Sequence, residues 1–204
     1  MKPKSILILL SVAVIIAIVY YSFVGGDSQH YVDQIEEFRD DTDRFMRTSS
    51  ESPFADRVEE YNGLRYFPPD EKYRIVATLK LVENKQSRAL ATSDGKDQQY
   101  QEYAYAEFDL GNRKNRLLIL EIIETGPDRG DLFLAFGDET SANETYGGGR
   151  YLNVKKVPGS TTIELDFNKA YNPYCAYNAD YSCPLPPREN LLDIPIRAGE
   201  MNYH

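Results

Sequence analysis

Arg150, Asp166 and Glu189 are the charged residues whose settings could support chemistry. Arg150 follows Gly147-Gly148-Gly149. A guanidinium fixed beside open backbone could bind a carboxylate or phosphate. It could equally close a structural salt bridge to Asp138, Glu139 or Glu144. Asp166 ends an alternating stretch, on the face opposite Ile163, Leu165 and Phe167. Asn168, Tyr171 and Asn172 follow at once, and Glu189 and Asn190 come after a proline run. If the two segments meet, Asp166 and Glu189 form a carboxylate pair among tyrosines, which is how glycosidases handle sugars. Asp and Asn in such loops more often satisfy buried backbone groups. The candidate ligand-binding set is therefore Arg150, Asp166, Asn168, Tyr171 and Asn172, with Glu189 at the rim.

Other chemistries lack their residues. The only histidines are His30 and His204. Histidine-dependent triads and His-led zinc sites have almost nothing to work with. No G-x-x-x-x-G-K-[ST], G-x-G-x-x-G or C-x-x-C-H occurs, so no cofactor is expected. The triple glycine leads into a strand rather than a helix and reads as a tight turn or bulge. Asp138 to Glu144 is rich in oxygen ligands, but it lacks EF-hand spacing and reads first as a solvated turn; no metal is expected. The net charge is −9, and no Lys/Arg cluster could neutralise a row of phosphates. Nucleic-acid binding is disfavoured accordingly.

Residues Ser5 to Val24 form an apolar run of 20 residues after Lys2 and Lys4. At about 1.5 Å per residue it spans about 30 Å, the thickness of a bilayer core. The positive-inside rule leaves the N-terminus in the cytoplasm and the remainder extracytoplasmic, periplasmic in a Gram-negative cell. Gly25-Gly26 is a poor cleavage signal, which favours a retained single-pass anchor over a cleaved signal peptide. Cys175 and Cys183 are the only cysteines. Export would let them pair as a disulfide. Two buried free thiols are the next reading. A metal site comes third, because two thiolates need two further ligands.

These residues need a scaffold. Tyr31, Ile35, Phe38, Thr42 and Phe45 recur at helical spacing, which predicts an amphipathic helix over 29–47. From Tyr73 onward the periodicity becomes two. Strands are expected over 73–82, 87–92, 100–110, 117–123, 132–136, 150–154 and 161–167, with an added edge over 192–196. The run over 117–123 is apolar on both faces, as a central strand would be. The expected fold is mainly β (α+β): an antiparallel sheet forming a sandwich or partly open barrel, with the transmembrane and amphipathic helices preceding it. The expected divisions are an anchor over 1–27, the amphipathic helix and linker over 28–60, and a β-rich domain over 61–204.

Three segments are the most specific: Tyr146-Gly147-Gly148-Gly149-Arg150-Tyr151-Leu152, Asp166-Phe167-Asn168 with Ala170-Tyr171-Asn172-Pro173, and Cys183-Pro184-Leu185-Pro186-Pro187. With Gly63-Leu64-Arg65-Tyr66-Phe67-Pro68-Pro69-Asp70, they make the chain from about Tyr61 to Glu200 resemble the uncharacterised prokaryotic family called domain of unknown function 1684. The resemblance implies a domain extent and no activity. The expectation from the residues themselves is a rigid Tyr/Asn/Pro-lined pocket that binds a small polar ligand or an envelope partner. A carboxylate-dependent hydrolase acting on a glycan is one alternative; a structural interaction module is the other.

Overall fold

The computed structural model describes residues 28–204. The expected anchor over 5–24 lies outside them. Among the described residues no helix is long and apolar enough to cross a membrane.

Helix α1 covers residues 28–48. Its apolar stripe is laid against the rest of the chain. Tyr31, Ile35 and Met46 are buried, while Phe38, Thr42 and Phe45 are half-buried. The opposite face carries i, i+3 and i, i+4 ion pairs, Arg44 with Asp41 and Arg47 with Asp43. Such exposed pairs stabilise a helix by only about 0.3–0.5 kcal/mol each. Burial of the stripe, not surface charge, holds α1 in place.

The strands are β1 (Arg74–Leu81), β2 (Ser87–Ala91), β3 (Asp97–Leu110), β4 (Arg113–Ile122), β5 (Leu132–Phe136), β6 (Arg150–Leu152) and β7 (Thr162–Asp166). All seven belong to one antiparallel sheet, ordered β6-β5-β4-β3-β1-β7, with β2 also on β3. A sandwich is therefore not formed; the sheet curls into a half-barrel. β3 is long enough to serve two neighbours on one edge. Its first part pairs with β2 at Asp97 to Gln101, and its second with β1 at Ala104 to Glu107. The register with β4 slips between Glu102 and Ala104. An extra residue there bends the strand and increases its twist.

β4 is buried on both faces, as its sequence foretells. Leu117 and Ile119 join the main core, while Leu118 and Leu120 pack with Leu90 and Tyr100 on the other side. β4 and β5 pair at only two positions. Where that ladder stops, the buried Asn190 amide takes over. Its nitrogen donates to the carbonyls of Leu118 and Ala135 at 2.9 and 2.8 Å, and its oxygen accepts from the Leu118 N–H at 2.6 Å.

The expected edge strand over 192–196 does not form. Its period of two is real: Leu192, Ile194, Ile196 and Ala198 all enter the main core. The segment fills the curl of the sheet instead of extending its edge. Its backbone therefore needs other partners. The Leu192 N–H reaches the Gly137 carbonyl at 2.8 Å, and the Ile196 N–H reaches Asp138 Oδ1 at 3.1 Å. The carbonyls of this tail are taken up by Arg150.

Candidate functional site

Arg150 is buried on β6. Its guanidinium donates to the carbonyls of Ile196 (2.8 Å), Ala198 and Glu200 (3.1 Å), and to Asp138 Oδ2 at 2.9 Å. Alternate carbonyls of an extended chain point the same way, so one planar fork serves three of them. Asp138 in turn accepts from the N–H and hydroxyl of Thr140. Burial pulls the Arg150 guanidinium down from its usual pKa, against the pull of Asp138. The glycine before it is a steric need. Gly149 has φ +83°, and a Cβ there would lie 2.7 Å from the Phe136 carbonyl oxygen. Arg150 therefore acts as a substitute strand for the tail.

Asp166 and Asn168 meet the front of α1. The Tyr31 hydroxyl donates to Asp166 Oδ1 at 2.8 Å, and the Asn168 amide donates to Tyr31 Oη at 2.8 Å. Asn168 also brackets Asp70, accepting from its N–H and donating to its carbonyl, both at 2.9 Å. Burial, and then Asp166, push the Tyr31 phenol far above its ordinary pKa. This cluster clamps helix to sheet. Glu189 lies elsewhere. It pairs with Arg88 at 3.3 Å and borders an open hollow with Arg113, Lys114 and Arg116. Asp166 is engaged with α1 and Glu189 with Arg88, so among the described residues the proposed carboxylate pair is not assembled.

Tyr171 does line a cavity, with partners of a different origin, and Asn172 stands behind that wall, bonded to its carboxyl. The cavity measures about 250 Å³ and lies between α1 and the loop after β7. Phe38, Thr42, Phe45 and Met46 form the helix wall. Tyr66, Ala170, Tyr171 and Tyr174 form the other, with Asn153 and Glu200 completing it. Tyr171 donates to Asn153 Oδ1 at 3.0 Å. Burial pushes its phenol up to about 12.

Glu200 is the one carboxyl lining this cavity. Its backbone is held on two sides: its N–H reaches the Ala170 carbonyl at 2.8 Å, and it bridges Tyr66 in antiparallel fashion. Gly199 permits the approach. It has φ +73°, and a Cβ there would lie 2.6 Å from the carbonyl oxygens of Phe167 and Ala170. The carboxyl accepts from the Asn172 N–H (3.0 Å), the Asn172 amide (2.8 Å) and the Tyr177 hydroxyl (2.6 Å). Among the described residues it forms no ion pair within 4.0 Å. Burial raises its pKa to about 7, against those three donors and the more distant charge of Arg150.

The expected disulfide is not present. Cys175 and Cys183 are free thiols, although they are neighbours, with the Cys175 N–H 3.1 Å from Cys183 Sγ. That hydrogen bond uses the sulfur as an acceptor. The Cys183 side chain, then Ser93 and Tyr146, draw the Cys175 thiol below its usual range against the effect of burial. Among the described residues no cluster of three or more His, Cys, Asp or Glu side chains could hold a metal.

Glu200 and Tyr66 were not among the candidate residues. Their signal was present: Tyr66 sits in Gly63-Leu64-Arg65-Tyr66-Phe67-Pro68-Pro69-Asp70, and Glu200 closes the region that resembles the family. Phe38, Thr42 and Phe45 were legible as an apolar stripe, but nothing in a stripe says that it leaves a space beneath it.

The curled seven-stranded sheet, the helix α1 and the buried tail define an α+β domain with a cavity under the helix. The chain belongs to the family described as protein of unknown function (DUF1684), which it matches over residues 59–201. It is also similar to an uncharacterized protein from gene locus rrnAC0354 of Haloarcula marismortui, known from a solution NMR structure. The two are 35% identical with a TM-score of 0.65, over 86% of this chain and 96% of that one. No curated protein matches it.

Proposed function

We propose that this chain is a membrane-anchored extracytoplasmic binding domain, and that its site is the cavity between α1 and the Tyr/Asn/Pro loop. The observation that supports this reading is Glu200. A buried carboxyl without a counter-ion is costly and needs a reason. It stands in a hollow otherwise walled mainly by rings and methyl groups. A mostly apolar pocket with a few convergent polar groups and a perturbed carboxyl is the usual form of a small-molecule site. The cavity size suits a ligand of one ring or a few carbons. Hydrolysis of a glycan would need a second carboxyl across the cavity, and Asp166 and Glu189 lie elsewhere.

Thermal melting of the full-length chain against metals, sugars, nucleotides, amines and peptides tests the site. A ligand present at about 100 times its Kd stabilises by about 2.7 kcal/mol. Thr42→Leu adds bulk to the helix wall and should abolish that response, while its unliganded melting temperature stays close to the wild type. A response that survives Thr42→Leu would remove the cavity from consideration. The anchor is tested separately. Mass spectrometry of protein taken from membranes should recover the N-terminal peptide, retained with residues 5–24. A mature terminus near Gly26 or Asp27 would refute retention.

A further inference from the structure

We infer that the cavity under α1 takes a small organic cation, an alkylammonium or quaternary ammonium group. This inference rests on the cavity being a binding site and deepens that reading. Five aromatic rings line the hollow: Phe38, Phe45, Tyr66, Tyr171 and Tyr174. Ring faces carry negative electrostatic potential and attract cations, most strongly where water is excluded. The one carboxyl, Glu200, completes the same polarity.

The hydrogen bonds around Glu200 fix the sign of its ligand. All three of its partners donate to it. Three donors orient and stabilise a carboxylate, yet none of them supplies a full positive charge. Arg150, the nearest guanidinium, is committed to Asp138 and to three carbonyls, including Glu200's own backbone oxygen. An anionic ligand would face a carboxylate and ring faces together. A neutral hydroxyl could bond to the carboxyl but would draw nothing from the rings. A metal ion would lose its oxygen ligands to an aromatic wall. A cation with methyl or methylene groups satisfies both.

The charged groups around the site are accounted for. From α1, Arg39 lies over the Tyr66 ring at 4.5 Å and donates to the Phe67 carbonyl. Asp43 is taken by Arg47 and by the Tyr61 hydroxyl. Lys169 lies 5.9 Å from the centre of the Phe38 ring and 3.4 Å from Asp166. From the loop, Tyr177 donates to the carboxyl itself. Asp43 and Lys169 each have an opposite charge as partner; Arg39 is held by a ring and a carbonyl on the outer side of Tyr66, and Glu200 by neutral donors alone.

Ionisation of Glu200 and binding of a cation must then be linked. The carboxyl titrates at about 7, so its ionised fraction rises from about a tenth at pH 6 to about nine tenths at pH 8. Apparent affinity scales with the competent fraction. Affinity for a cation should therefore rise up to about tenfold across that interval, and a neutral ligand should show no such rise.

The experiment is calorimetric titration of the full-length chain with tetramethylammonium chloride at pH 6 and pH 8. tert-Butanol serves as a neutral ligand of similar shape. Tighter binding of the cation at pH 8, with a proton released on binding at pH 6, is the expected result. Glu200→Gln should abolish the pH dependence. Phe38→Leu keeps an apolar side chain on a half-buried position, and should weaken the cation several-fold more than the alcohol; it serves if Glu200→Gln fails to fold. Equal, pH-independent binding of tert-butanol and tetramethylammonium, both blocked by Thr42→Leu, would overturn the cation and leave the cavity as a site. Binding of neither, together with no response to the broader panel, would overturn both readings.

Discussion

Arg150→Met is expected to be the most destabilising single change outside the apolar core. The substitution keeps an unbranched apolar stem and removes the fork. Asp138 is then left as a buried carboxylate without its guanidinium. The carbonyls of Ile196, Ala198 and Glu200 lose a partner that water cannot readily replace. Breaking a buried pair by removing one member costs about 3–5 kcal/mol. A domain of this kind has a total stability of about 5–15 kcal/mol, so the loss is a large share of it. Urea denaturation of wild type and variant measures it directly. Adding Asp138→Asn to the variant should recover part of the loss, because it removes the stranded charge but not the unpaired carbonyls. A loss under about 1 kcal/mol in Arg150→Met, with ligand response gone, would instead make Arg150 a binding residue.

This role explains what could be read from the sequence and what could not. Alternation at Leu192, Ile194, Ile196 and Ala198 correctly marks an extended, half-buried segment. Periodicity reports which side chains go inward; it does not report what the backbone bonds to. Here the partners include two side chains, Arg150 and Asp138, remote in sequence from the tail. The helix and the strands of the sheet are legible because each is specified by a local period of burial. Asp166 and Asn168 are legible as polar groups in a constrained loop. Their use as a clamp on Tyr31 depends on a contact across more than 130 residues, which no local pattern encodes. Glu200 is the hardest case. Its character comes from Asn172, Tyr177, Tyr66 and α1 together, and each fragment alone reads as ordinary loop or core.

Glu200 should also give the molecule an unusual dependence of stability on pH. Burial raises its folded pKa to about 7 from an ordinary carboxylate value of 4.5. The folded state therefore holds this proton more tightly than the unfolded chain does. The stabilisation is complete below about pH 4.5 and is lost as pH rises through about 7. The difference between 4.5 and about 7 corresponds to about 3 kcal/mol. Other perturbed carboxylates act with the opposite sign and in another range. Asp43, raised by burial but pulled down further by Arg47 and Tyr61, and Glu144, lowered by Arg197, contribute stability above their unfolded pKa values. Asp94 is lowered in the same way by Lys96, Ser182 and Thr92. Their contributions are lost only in acid below about pH 4.5. The carboxylates thus make stability climb out of acid, and Glu200 makes its own contribution decline from about pH 5 toward pH 8. Denaturation free energies of wild type and Glu200→Gln at pH 5, 6, 7 and 8 isolate the effect. The thiol pair titrates identically in both proteins and cancels. The stability of wild type relative to the variant should fall by about 2.5 kcal/mol from pH 5 to pH 8. Parallel curves would mean that Glu200 is solvated or already paired with a charge, and the premise of a cation-seeking cavity would fall with it.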